Sequence, residues 1–401
     1  MISVDEARAR ILAGLRPTAA EIVPLAAAWG RVNAQPVAAR LTQPPQDVSA
    51  MDGYALRAED GTLGAVLDVV GSAPAGHPWP GVLAPGQALR LFTGSIVPTG
   101  ADAILLQEDA TRDGERVTVN EAVVAKRHIR RAGQDFASGD VLVPAGKLLN
   151  AREIGLMAAG NHPWVAVHRR PRVAILATGD EIALPGEPIP SGGIVSSNSH
   201  ALAALVQACG GEAVVLPVAP DDSAAIAAAA AGARSCDIMV TTGGASVGEH
   251  DLIQSALAPA GLVIDFWKIA MRPGKPLIHG ALGDVPLLGL PGNPVSSLIT
   301  AILFLLPALR VLSGLPGAPP PVSHAILGAD LPANDHRADH LRARLSHDSA
   351  GNAVATAFTR QDSAMLRLLA ESDALILRPP HAPPAKSGEI LPIIRLDLLG
   401  L

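Results

Sequence analysis

Between about Arg170 and Leu312 the chain alternates apolar runs with helical stretches, and such a chain buries both faces of its strands in a largely parallel sheet flanked by helices. The runs are Arg172 to Ala177, Ala213 to Val218, Asp237 to Thr241 and Val285 to Leu290. The helical stretches are Ser199 to Ala208, stopped by Gly210 and Gly211, then Ser223 to Ala233, Asp251 to Leu257 and Pro294 to Leu306. In open parallel sheets ligands sit beyond the carboxyl ends of the strands, where helix N-termini aim backbone N–H groups. The fold constraint therefore also says where to look for chemistry.

Four polar loops occupy that position. Thr178, Gly179, Asp180 and Glu181 follow one strand, and Asp221 and Asp222 another. Thr241, Thr242, Gly243, Gly244, Ala245 and Ser246 follow a third, and Pro291, Gly292, Asn293, Pro294, Val295 and Ser296 the last. The Gly243 to Ser246 loop suits an oxyanion, because glycine lets the backbone approach and leaves N–H groups unpaired; an ordinary tight turn is the alternative. Asn293 and Pro294 read as N-cap and first position of the last helix, so Ser296 lies in a first turn whose amides are free for an anion or merely capped. Asp221 and Asp222 read as helix caps or as ligands. Asp180, Glu181 and Asp251 flank these loops, and carboxylates beside a phosphate site suit a hard cation such as magnesium, unless they are solvated surface acids.

Arg272, Pro273, Gly274 and Lys275 have the composition of a type II turn, which brings two cations to one spot. With Lys268 upstream they form a cationic clamp for a small dianion, or else a solvated basic turn. The 12 histidines show no paired helical spacing, and neither a Gly-x-Ser-x-Gly elbow nor a loop ending in Gly-Lys-Ser occurs. His250 stands among the loops and reads as a bystander.

The rest of the chain is organised differently. Ser3 and Glu6 have capping-box spacing ahead of Ala7, Ile11, Leu12 and Leu15, a first amphipathic helix. From about Ser49 to Val143 short apolar runs (Val66 to Val70, Ala88 to Phe92, Ala103 to Leu106, Arg116 to Val119) alternate with turns, as in a small β domain. After Pro316 to Pro321 come Leu341 to Leu345, Val354 to Phe358, Ala374 to Leu377 and Ile390 to Ile394, a second one.

At 401 residues the chain exceeds one ordinary core, since domains run roughly 100 to 200 residues. Apolar residues make up 49% and aromatics only 2%, so the core is aliphatic and base stacking is no theme. With 31 basic against 37 acidic residues the net charge of -6 offers no field for a polyanion, which argues against nucleic acid. Cys209 and Cys236 lack metal-type spacing and read as reduced, in keeping with a cytoplasmic protein. The N-terminus is acidic where a signal peptide is basic. The longest greasy stretch, Leu298 to Leu306, stops at Pro307, short of the ~20 residues a bilayer needs, and reads as a buried helix.

Taken together, the motifs resemble the MoeA and gephyrin E-domain family, the molybdopterin molybdenumtransferases, over essentially the whole chain. The matching positions are Ser49 to Ala55 (Ser-Ala-Met-Asp-Gly-Tyr-Ala), Phe92 to Gly94, Thr178 to Glu181, Gly243 to Asp251, Pro273 to Pro276 and Pro291 to Ser296. The resemblance implies a linker region (1–48 and 144–169), an inserted β-rich domain (49–143), an α/β domain (170–315) and a C-terminal β-barrel (316–401). It implies an elongated homodimer whose cleft lies between the α/β domain of one subunit and the Asp52-bearing domain of the other. The implied reaction takes adenylylated molybdopterin and molybdate, uses Mg2+, and yields molybdenum cofactor and AMP.

By this resemblance Asp52, Thr93, Asp135, Glu181, Asp221, Asp251, Lys268 and Lys275 are the expected catalytic residues. Thr178, Gly179, Asp180, Gly243, Gly244, Ser246, Arg272, Pro291, Gly292, Asn293, Ser296, Arg342 and Ser363 are expected to bind the pterin nucleotide and molybdate. Asp180, Glu181, Asp221 and Asp251 are the candidate metal ligands. Arg272 replaces the family's usual Lys, Gln361 and Asp362 precede Ser363 where the family tends to have Gly, and Arg342 is favoured over Arg344 as the C-terminal arginine. Two rivals are a molybdopterin adenylyltransferase, which resembles the α/β domain alone, and a non-catalytic scaffold; the Asp52 motif and the retained Glu181, Asp221 and Lys275 argue against them. Other cofactor-biosynthesis proteins and molybdoenzyme acceptors are the partners such an enzyme implies.

Overall fold

The computed structural model describes residues 1–243 and 252–399. Of the candidate residues, Gly244, Ser246 and Asp251, with Ala245 and His250 beside them, lie outside the described residues.

Strands Glu212–Val215, Arg172–Ala177, Ile238–Thr242 and Val285–Leu290 lie side by side in that order and all parallel. Two strands not anticipated from the sequence extend the sheet: Ile278–Leu282, antiparallel to its neighbours, and Leu262–Phe266 at the edge. The period of two sorts side chains to opposite faces. Val173, Ile175 and Val240 meet Leu202, Leu205 and Val206 on one side, whereas Ala174, Leu176 and Met239 meet Ile226, Ile253 and Leu257 on the other. Each such fully buried aliphatic side chain contributes about 1.5–3 kcal/mol, which lets the core form with few aromatic rings.

The last helix does not stop at Pro307. It runs Pro294–Thr300, passes through a π-helical stretch at Ala301–Leu305 and continues as Leu306–Leu312. Proline lacks an N–H and its ring crowds the carbonyl four residues back; the wider turn, with Leu306 N–H bonded to Ala301 O, accommodates it. The resulting 19-residue helix, of mean hydropathy 2.1 over its most apolar window, is long and apolar enough to cross a membrane by length and composition, but 83% of that window is buried inside the protein.

The first helix, Val4–Ala13, starts at the expected cap, with Ser3 Oγ accepting from Glu6 N–H. It packs through Ala7, Ile11 and Leu15 into the α/β core beside the long helix. Arg10 Nε donates to Asp265 on the sheet edge at 3.0 Å. Between them, Ala20–Pro24 pairs with Trp164–His168, and Val37–Ala38 with Val141–Val143. The inserted segment is one six-stranded sheet built from strands between Gly53 and Val119. The chain enters it at Val48–Ser49 and leaves at Ile129–Arg130, and these two short strands pair with each other.

In the C-terminal region Ala338–His347, Ala353–Ala357, Val322–Leu327, Ile390–Arg395 and Ala374–Arg378 pair in sequence, and the last pairs back with the first. The sheet is thus a closed five-stranded barrel. Met271–Arg272 adds to it in parallel at Ala338–Asp339, stitching the α/β region to the barrel.

Inside the barrel joint His340 is buried, its Nδ1 without a hydrogen-bond partner among the described residues. Burial pushes its pKa down to about 4 from an ordinary 6.5. The unfolded chain therefore takes up this proton first, so titration of His340 leaves stability nearly unchanged at neutral pH and lowers it as pH falls from about 6.5 toward 4, by ~1.4 kcal/mol per unit. His340→Asn should flatten the pH dependence of the denaturant midpoint across that window, and an unchanged slope would show that His340 is not its source.

Candidate functional site

The four loops do meet on one rim. Thr178 N–H bonds to Thr242 O at 3.3 Å, and Gly179 N–H to Ala219 O at 3.1 Å, so the ends of three strands are tied together. Gly243 has φ +93°, and a Cβ there would lie 2.5 Å from Thr178 O, so only glycine fits. A Cβ on Gly292 would stand 3.6 Å from the Gly243 Cα, which brings the fourth loop alongside. The Thr178 hydroxyl is buried at this junction with no hydrogen-bond partner among the described residues.

Asn198, at the start of the helix Asn198–Ala208, holds the rim together. Its amide donates to Thr242 Oγ1 and to Gly292 O, both at 2.7 Å. Sequence reasoning missed it, since Ser197-Asn198 before a helix reads as capping alone.

The acids divide by role. Asp180 Oδ1 accepts Asp221 N–H at 3.0 Å, joining two loops. The Glu181 carboxylate folds across Gly179, where a Cβ would come within 2.5 Å of its Oε2. Asp222 is the helix cap, accepting from Ala225 N–H at 2.8 Å, so Asp221 is left exposed beside it. Asp180, Glu181 and Asp221 have no basic partner among the described residues, and no set of three metal-ligating side chains is assembled among them.

At the head of the long helix the structure differs from expectation. Asn293 holds the N-cap position but makes no capping bond. Its Nδ2 instead donates to Ser363 Oγ at 3.0 Å, and Val295 N–H donates to Ser363 O at 3.1 Å. Ser297 N–H bonds to Asn293 O and Pro294 has none, so of the first-turn amides only that of Ser296 keeps no acceptor outside the helix among the described residues.

Arg342 is corrected from ligand contact to buried clamp. It is 1% exposed. Its Nη1 donates to Met365 O at 3.0 Å and its Nη2 to Asp362 O at 2.9 Å, while its backbone N–H and carbonyl exchange hydrogen bonds with the Gln361 amide. Burial lowers its pKa, with Asp362 opposing. The guanidinium thus holds the loop that carries Ser363 and does not face the rim. Arg344 turns away to Glu371.

The expected pairing of Arg272 with Lys275 also fails. Arg272 Nε donates to Asp339 at 2.8 Å, and Asp335 lies 3.6 Å from Nη1; the Asp339 hydrogen bond raises its pKa. Its charge is spent on the barrel joint. The Arg272–Pro273 bond is cis, unlike that of the expected type II turn. Gly274, at φ +107°, packs where a Cβ would meet Thr300 Cγ2 at 2.5 Å, so the turn lies against the long helix. Lys275 is exposed and without an ion pair among the described residues, and its carbonyl accepts from Ile269 N–H at 3.0 Å. That sets it beside Lys268, whose ammonium lies 3.9 Å from the Trp267 ring centroid.

Asp52 and Thr93 form a unit in the inserted sheet. Thr93 donates its N–H at 2.7 Å and its hydroxyl at 2.8 Å to Asp52 Oδ1, which holds the carboxyl below its ordinary range. Arg90 donates to Gly53 O at 3.0 Å and lies 5.1 Å and 5.0 Å from the Tyr54 and Phe92 ring centroids. Asp135 is exposed and, among the described residues, bonded through its backbone N–H to Gln43 O at 3.1 Å. Among the described residues no hydrogen bond or ion pair joins Asp52, Thr93 or Asp135 to the rim loops of the same chain.

Three family models cover most of the chain: "MoeA N-terminal region (domain I and II)" matches residues 2–160, "Probable molybdopterin binding domain" 174–311, and "MoeA C-terminal region (domain IV)" 324–396. The chain belongs to the MoeA family. A Nostoc relative named molybdopterin molybdenumtransferase is 41% identical over 74% of this chain and 70% of its own length. Mycobacterium tuberculosis molybdopterin molybdenumtransferase 2 is 36% identical over 94% of this chain and 95% of its own. The MoeA protein of Pyrococcus horikoshii superposes with a TM-score of 0.85 at 28% identity, covering 98% of this chain and 99% of that one.

Proposed function

We propose that this chain is a molybdopterin molybdenumtransferase, which takes adenylylated molybdopterin and molybdate and yields molybdenum cofactor and AMP. The observation that carries the reading is the rim itself: Thr178, Gly243 and Gly292 in backbone contact, with exposed acids on one side and Lys275 near the long helix. The nucleotide's phosphates lie beside Gly243 and the Ser296 amide, which keeps no acceptor outside its helix among the described residues and so can donate to an anion. Molybdate sits by Lys268 and Lys275. Asp180, Glu181 and Asp221, exposed and without a basic partner among the described residues, would with Asp251 hold Mg2+, which prefers carboxylate oxygens; when bound it neutralises charge on the phosphates. The chain acts as a homodimer in the cytoplasm, with Asp52, Thr93 and Asp135 serving the partner's rim, and passes its product to molybdoenzyme acceptors.

The test is an assay of the purified protein with adenylylated molybdopterin, molybdate and magnesium, measuring AMP and cofactor. Absence of both products would refute the reading. In the same assay Glu181→Ala should lower AMP release about ten- to a hundredfold with the fold intact, the worth of one charge-assisted contact; undiminished release removes Glu181 from the mechanism. Mixing Asp52→Ala with Glu181→Ala subunits should restore activity, because a mixed dimer assembles one intact cleft. If exchanging subunits stay as inactive as either parent, the cleft is not shared.

A further inference from the structure

At the opposite end of the sheet from the rim, where the parallel strands begin, lies a cavity of about 510 Å³. Arg169 to Pro171, just before the strand Arg172–Ala177, form part of its wall, as do Gln207 to Gly210 at the end of the helix Asn198–Ala208. The linker region contributes Trp29 and Leu148, the long helix Leu306 and Arg310, and the tail Leu398. The volume falls within the few hundred to ~1,000 Å³ typical of small-molecule sites. No described acidic side chain lines it.

Its cations differ in what they are free to do. Arg169 is paired with Asp237, and Arg31 with Glu21. Arg170 and Arg310 have no carboxylate partner among the described residues. Each meets one backbone carbonyl outside its own neighbours, Gly210 O for Arg170 and Pro316 O for Arg310, at 3.1 Å. A guanidinium has five N–H donors, so most donors on both remain available. Trp29, 70% exposed, supplies a planar apolar face at the mouth.

We infer that this cavity is a second ligand site, distinct from the rim, for a small phosphomonoester carrying an aromatic ring: the phosphate between Arg170 and Arg310, the ring on Trp29. Bidentate guanidinium contacts suit a phosphate dianion, and a ring that stacks on the indole takes up the apolar part of the wall. The site draws on three of the four parts of the chain, the linker region, the α/β region and the C-terminal tail, so occupancy ties these together. The inference stands independently of the transferase reading.

Cys209 in the wall reports occupancy without reference to activity. In a Cys236→Ser background, its alkylation by N-ethylmaleimide should be slowed several-fold by AMP, with inorganic phosphate protecting only at higher concentration and adenosine not at all. Arg170→Gln with Arg310→Gln should raise the AMP midpoint at least tenfold. Trp29→Ala, a surface change that spares the fold, should raise it about tenfold. Protection absent in the parent protein, or undiminished in both variants, overturns the assignment.

Discussion

Lys275→Ala should weaken molybdate use ten- to a hundredfold while leaving pterin-nucleotide affinity nearly unchanged. Losing a charge-assisted contact costs about 1.5–3 kcal/mol, which is that range of affinity. Arg272 cannot compensate, because Asp339 and Asp335 already hold it. Nor is Lys268 equivalent, with its ammonium over the Trp267 ring. The nucleotide keeps the Gly243 loop and the Ser296 amide, so its titration should hardly move. Separate titrations with molybdate and with adenylylated molybdopterin decide the matter. Normal molybdate binding with loss of the nucleotide would assign Lys275 to the phosphates.

Arg342→Met should have the largest effect on stability. The substitution keeps the apolar stem and removes every side-chain donor, so the carbonyls of Asp362 and Met365 each lose a charged donor and keep only a backbone one, Met365 N–H and Leu368 N–H, both at 3.2 Å. Hydrogen bonds from a charged donor contribute about 1.5–3 kcal/mol each, so a loss of roughly 3 kcal/mol in denaturant unfolding is expected. The same loop carries Ser363, whose bonds to Asn293 and Val295 close the barrel onto the long helix. Arg342→Lys should recover only part of the loss, because one ammonium cannot reproduce the planar fork. A variant as stable as the parent would mean that the loop is held from elsewhere.

Local signals in the sequence were read well where local physics decides them. The Ser3 cap, the strands Arg172–Ala177 and Val285–Leu290 and the convergence of four loops all follow from periodicity and turn residues. What stayed hidden depends on partners far along the chain. Nothing near Arg272 announces Asp339, and nothing near Asn293 announces Ser363, so a clamp residue and a helix cap were expected where the molecule has two joints to its barrel. Pro307 looked like a stop because the compensating π turn belongs to its context, not to the residue. The strand Val322–Leu327 follows a proline-rich break and pairs with segments up to its far end, which no local pattern declares.

The pairing of Val48–Ser49 with Ile129–Arg130 has a consequence for how such a chain can change. Paired strands lie about 5 Å apart, so everything between residues 50 and 128 is a single excursion that returns to its starting point. Evolution can lengthen, shorten or replace that excursion without rethreading any other element, and a laboratory deletion bridged by a short turn would keep Val48–Ser49 against Ile129–Arg130 while giving up the bonds that Asp47 to Ser49 make with Gly94 to Val97.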